Sequence, residues 1–125
     1  MIRDAEHLET AFGDMAQDRP DAVIVQPSLP RHRVAELAIK YRIPAVSVIR
    51  GFVDEGGLMT YAPVEAEIYR RAAAIVDKIL KGAKPSRLPV EQPTKFELLI
   101  NMKTAKALGL TIPPTFVARA DVVIE

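Results

Sequence analysis

Cysteine is absent from the 125 residues. That excludes a disulfide, a thiolate zinc site, an iron–sulfur cluster and a cysteine nucleophile, and it leaves the redox compartment open. Neither sign of charge dominates, since 17 basic and 16 acidic side chains leave a net charge of +1. Such a balance gives no electrostatic footprint for nucleic acid or anionic lipid, so no nucleic-acid partner is expected. No apolar run approaches the roughly 20 residues that a membrane-spanning helix needs. Only two histidines occur, His7 and His32, and neither belongs to a His-x-x-x-His or Glu-x-x-His pair; no metal and no cofactor are expected. Met1 to Glu9 alternates acids and bases where a secretory signal carries a basic end and an apolar stretch, so no signal peptide is read here.

What is present is 49% apolar and 26% charged. A chain of this length supports one compact domain burying roughly two-thirds of its unfolded surface. Asp4 can cap a helix whose apolar positions Ala5, Leu8, Ala11, Phe12 and Met15 make one stripe. Ala22-Val23-Ile24-Val25 is too short for a helix and does not alternate, as expected of a strand covered on both faces. After Pro27-Ser28-Leu29-Pro30, residues 31–41 place Val34, Leu37, Ala38 and Tyr41 on a second helical stripe, and Ala45 to Ile49 reads as a second buried strand. Strand, helix and strand within about 30 residues make a βαβ unit with parallel strands, so the fold class is α/β.

A turn holding Gly51, Gly56 and Gly57 leads to a third strand at Leu58 to Tyr61, and Val64 to Lys81 repeats apolar residues at helical intervals until Gly82. Residues 83–94, with Pro85, Pro89 and Pro93, form an extended strap. Beyond it come a strand at Lys95 to Asn101, a short helix at Thr104 to Leu108, and a terminal helical turn or two within Phe116 to Val123. The expected organisation is therefore an α/β unit with its crossing helix over 1–82, a connector over 83–94, and a C-terminal strand with helices over 95–125.

Little in this chain is built for catalysis. Ser28 lies just past a strand's carboxyl end, where α/β proteins place ligand groups, but Pro27 and Leu29 do not make a nucleophile elbow, leaving ligand contact or helix capping for its hydroxyl. The three turn glycines match neither Gly-x-Gly-x-x-Gly nor the Walker pattern, and adjacent Asp54 and Glu55 point apart, a solvated loop rather than an acid/base pair. Arg50 follows the second strand and Tyr61 ends the third, so both can project toward one end of the sheet. There an arginine can grip a carboxylate and an aromatic ring can wall a pocket. The plainer alternative pairs Arg50 with Asp54 or Glu55 and puts Tyr61 at the core edge. Arg70-Arg71 is a solvated helix face.

From Gly56 onward the wording becomes specific: Gly-Gly-Leu-Met-Thr-Tyr-Ala-Pro to Pro63, Val76-Asp77-Lys78-Ile79-Leu80-Lys81-Gly82-Ala83-Lys84-Pro85, Leu88-Pro89-Val90-Glu91-Gln92-Pro93-Thr94-Lys95, and Lys103-Thr104-Ala105-Lys106-Ala107-Leu108-Gly109-Leu110-Thr111-Ile112-Pro113-Pro114. This closely resembles the C-terminal part of the substrate-binding proteins of ABC importers, and Asp21 to Val25 with Ile43 to Ala45 is similar to the same family's second lobe. The resemblance implies a type I periplasmic binding fold, in which two α/β lobes close on a small molecule and present it to a membrane permease, without catalysis. It also implies a periplasmic location, and a chain that corresponds to roughly the C-terminal third of a complete member.

Position by position, the resemblance implies ligand-facing loops after Gln26 and Ile49 and at Tyr61, with Ser28, Arg50, Phe52 and Tyr61 as ligand-binding residues. Relatives often carry an acidic side chain where Arg50 stands, and Tyr-Gly-Pro where Ala62 follows Tyr61. Both departures favour an anionic ligand over an amino-acid-like one. Apolar surface that would pack on another lobe implies a homo-oligomer, a symmetric dimer or one exchanging the segment beyond Gly82. Two other readings of the α/β pattern are a ligand-sensing or oligomerising effector domain of a regulator, and a small α/β enzyme.

Overall fold

A computed structural model of the chain describes residues 5–125. Its elements are α1 (Ala5–Asp18), β1 (Val23–Val25), α2 (Arg31–Tyr41), β2 (Ala45–Ser47), α3 (Gly51–Asp54), β3 (Met59–Pro63), α4 (Glu65–Leu80), β4 (Phe96–Asn101), α5 (Met102–Ala107), α6 (Pro114–Val117) and β5 (Val122–Ile124), with a 3-10 turn at Pro85–Arg87. The fold class is α/β, as expected. The Asp4 cap lies outside the described residues.

The five strands form one sheet in sequential order. β1 pairs parallel with β2 (Val23 with Ala45, Val25 with Ser47), β2 with β3 (Val46 with Met59), and β4 with β5 (Leu99 with Val122). Between β3 and β4 the chain reverses: Asn101 N–H donates to the Leu58 carbonyl at 2.9 Å and Val64 N–H to the Lys95 carbonyl at 3.0 Å. As one strand ascends the other descends, which is antiparallel pairing. The start of β4 thus lies beside the end of β3.

The chain forms two compact units, residues 1–62 with 97–125, and residues 63–96. α4 and the strap fall in the second of these. In the first unit the core gathers Leu8 and Phe12 of α1, Val34, Ala35, Leu37 and Ala38 of α2, Val25, Ala45 and Phe52. The two stripes foreseen from helical spacing are the ones that meet here. Burying each of the Leu, Phe and Val side chains among them contributes about 1.5–3 kcal/mol. Buried hydroxyls are satisfied by backbone: Ser47 donates to the Val25 carbonyl and Thr60 to the Ile49 carbonyl, both at 3.2 Å. At the rim, Glu9 of α1 accepts from Arg33 at 2.6 Å and from Lys40, both on α2.

In the second unit α4 has no buried residue. Arg71 holds the strap, donating to the Thr94 hydroxyl at 3.0 Å and to Glu91 and the Gln92 carbonyl at 3.5 Å.

Three expectations are corrected. The stretch after Ile49 is not a plain turn: residues 51–54 form α3, and Phe52 and Val53 anchor it in the interior. Gly57 is required beside that anchor, since a Cβ there would fall 2.2 Å from the Phe52 ring. The terminal segment holds one helical turn, α6, which ends at Val117, and residues 122–124, where the sequence allows a further turn, instead add β5 to the sheet. Finally, β1 is not covered on both faces, because Ile24 is 77% exposed.

Candidate ligand-binding end of the sheet

In a mostly parallel sheet the strand carboxyl ends are where loops diverge and ligands find backbone and side-chain groups. Here β1 and β2 end level with Thr60 of β3, which runs on to Pro63 beside the antiparallel β4. Each strand delivers a residue to this end.

Ser28 follows β1 in an exposed turn closed by the Leu29 N–H donating to the Gln26 carbonyl at 3.2 Å. The cap position of α2 is Pro30, so the helix-capping role for Ser28 is not realised. Arg50 follows β2 and donates through Nη1 to both carboxylate oxygens of Glu97, at 3.0 and 3.1 Å. Its partner is neither Asp54 nor Glu55. Glu55 is taken by Arg31, whose Nη2 lies 3.0 Å from Oε1, and the Arg31 guanidinium covers Gly51 so closely that a Cβ there would come within 3.0 Å of Nη1. Tyr61, on β3, is 61% exposed rather than packed at the core edge. It lines an apolar groove of about 180 Å³ with Ile24, Val46, Ser47, Val48 and Met59.

Phe52 differs from the other three. It is fully buried in the interior. Its ring steadies the loop that carries Arg50 and offers no surface to a ligand. Glu97 is the residue that the sequence reading missed. Its one signal is an acid inside the apolar strand Phe96 to Asn101, and only the direction of β4 tells which end of the sheet it reaches.

The set is suited to holding a charge. A guanidinium fixed end-on by one carboxylate retains further N–H donors in its planar fork. His32 lies 3.4 Å from Glu36 on the exposed face of α2. Among the described residues no group of three or more His, Cys, Asp or Glu side chains is placed to hold a metal ion.

The model of the family described as "ABC transporter substrate binding protein" matches residues 1–124. The chain belongs to that family. Three solved structures share the fold of this substrate-binding family member. A conserved domain protein from Vibrio cholerae superimposes with a TM-score of 0.84 at 22% identity, over 96% of this chain and 42% of its own. An ABC domain in complex with L-Trp from Streptococcus pneumoniae gives 0.81 at 24%, over 98% and 44%. A ligand-free, open substrate binding protein with adhesive properties from Clostridium difficile gives 0.71 at 20%, over 98% and 42%. The chain therefore spans less than half the length of each. No curated protein matches.

Proposed function

We propose that this chain supplies one wall of the ligand cleft in the solute-binding component of an ABC importer. It captures a small anionic molecule outside the cytoplasm and passes it unchanged to a permease. The observation that carries this reading is the Arg50 guanidinium, set at the carboxyl end of parallel strands and tethered by Glu97 at 3.0 Å. Ser28 follows β1 and Tyr61 lies within β3, on the strands either side of β2, one offering a hydroxyl and the other a ring. Phe52, being buried, is not part of the contact set. Family membership supports capture without chemistry, and the L-Trp held by the Streptococcus pneumoniae protein makes a carboxylate-bearing ligand a reasonable first probe. In the same reading the chain pairs with a second copy of itself.

The test is a thermal-shift screen with amino acids, small carboxylates and aromatic acids, because a ligand that binds only the folded state must raise its melting temperature. The account expects carboxylates to raise it and Arg50→Gln to remove the rise. A well-folded protein with no response to any anion, or a response unchanged in Arg50→Gln, would overturn it.

A further inference from the structure

We infer that the ligand carries two carboxylates and that Arg31 receives the second. This rests on the reading that Arg50 grips the first.

Arg31 opens α2 just beyond the loop that follows β1, as Arg50 follows β2, and β1 and β2 are parallel and in register. Both arginines therefore come to the same end of the sheet. They also meet one stretch of backbone, because Arg31 Nη1 lies 3.0 Å, and its Cζ 3.4 Å, from where a Cβ on Gly51 would stand, and Gly51 directly follows Arg50. Gly51 is helical and its φ is not positive, so what the missing side chain supplies is room for the Arg31 guanidinium.

Helix stability does not account for Arg31. The start of a helix carries partial positive charge and favours acids, yet the first turn of α2 contains no acid and begins Arg31-His32-Arg33. Each arginine at this end has one acid behind it instead: Glu55 lies 3.0 Å from Arg31 Nη2, and Glu97 lies 3.0 Å from Arg50 Nη1. In both pairs the guanidinium is the more exposed partner, 41% against 34% and 51% against 17%, so positive charge faces outward twice. The stretches that lead to them, Gln26 to Pro30 and Val48 to Ile49, hold no acid.

A guanidinium has five N–H donors in a planar fork, more than one carboxylate can use. The two acids sit on different elements, Glu55 closing α3 and Glu97 within β4. The forks are thus drawn to different places, which suits two carboxylates joined by a short chain better than one anion shared between them.

The test titrates the native protein calorimetrically with succinate, glutarate and adipate, and with the half-amide of each, which keeps the length and removes one charge. At the best-fitting length the diacid is expected to bind roughly tenfold more tightly than its half-amide. Arg31→Gln should remove that preference and leave half-amide binding as it was, whereas Arg50→Gln should weaken both. Gly51→Ala, whose methyl displaces only the far end of a flexible side chain, should fold unchanged and lose part of the diacid preference. Half-amides that bind the native protein as well as diacids do, or a preference that survives Arg31→Gln, would overturn this inference and leave the Arg50 reading standing. Absence of binding by every diacid and half-amide would overturn both.

Discussion

Arg50 and Glu97 meet at 3.0 Å across the end of β3, although 47 residues separate them in the chain. β3 lies between their strands in the sheet, so the pair bridges over it. Arg50 is half-exposed, and an ion pair in that setting contributes only about 0.2–1 kcal/mol. In the proposed reading a contact so weak is exchanged for a ligand carboxylate, and the pair orients the guanidinium beforehand; its contribution to holding the fold is minor.

That assignment makes the two partners unequal in binding though equal in stability. Arg50→Gln and Glu97→Gln should each change unfolding free energy by less than about 1 kcal/mol in urea titrations. Loss of Arg50 should weaken carboxylate binding, while loss of Glu97 should leave it intact or strengthen it. Weakening of equal size in both variants would show that the pair acts as a structural unit.

The brace between α1 and α2 titrates. The hydrogen bond from Lys40, then its charge and that of Arg33, hold the Glu9 carboxyl below the usual carboxylate range. A carboxyl lowered in the folded state stabilises the protein above its unfolded pKa, and this contribution is lost as pH falls through the folded value. Melting temperature should therefore drop between about pH 5 and pH 3 more steeply in the native protein than in Glu9→Gln. Parallel curves for the two would contradict the brace.

Phe52 and Gly57 form a matched pair. Gly57→Ala places a methyl 2.2 Å from the ring, and overpacking of this kind costs about 1–3 kcal/mol. Phe52→Ala, which opens a cavity at the same place, should cost about 3–5 kcal/mol. Chemical denaturation of both variants measures it, and the double variant should be less destabilised than the sum of the two, since its methyl enters the vacated space.

Asn101 latches this loop from the other side. Its Oδ1 accepts from the Thr104 N–H at 3.1 Å, capping α5, and its Nδ2 donates to the Val53 carbonyl at 3.2 Å. Thr104 adds a 2.8 Å bond to the Gly56 carbonyl. Asn101→Ala leaves buried polar groups unpaired and should cost about 1–3 kcal/mol, with faster amide exchange at Gly57 and Thr104. Unchanged exchange there would show the latch to be idle.

The long amphipathic helices and the β-branched strand centres were legible in the sequence because each repeats a period over several residues. α3 was not, because four residues between glycines are too few to show a helical period, and its anchors Phe52 and Val53 look like any apolar pair. β5 was missed for a similar reason: after Arg119 and Asp121 only three apolar residues, Val122 to Ile124, remain, too few to show a strand period. Arg50 and Tyr61 could be placed at one end of the sheet because they follow strands whose parallel pairing is enforced by a helical crossover. Glu97 could not, since no local pattern states that β4 runs against β3. Ile24 was expected to be buried on composition alone, and which helices are at hand to cover a strand is not a local property.

The central claim is tested most directly by calorimetric titration of the native protein and of Arg50→Gln with small carboxylates and with their neutral amide counterparts. The account predicts binding of carboxylates but not amides, and a loss on removing Arg50 of about 1.5–3 kcal/mol, roughly ten- to hundredfold in affinity. Amides that bind as well as acids, or full affinity in Arg50→Gln, would contradict it.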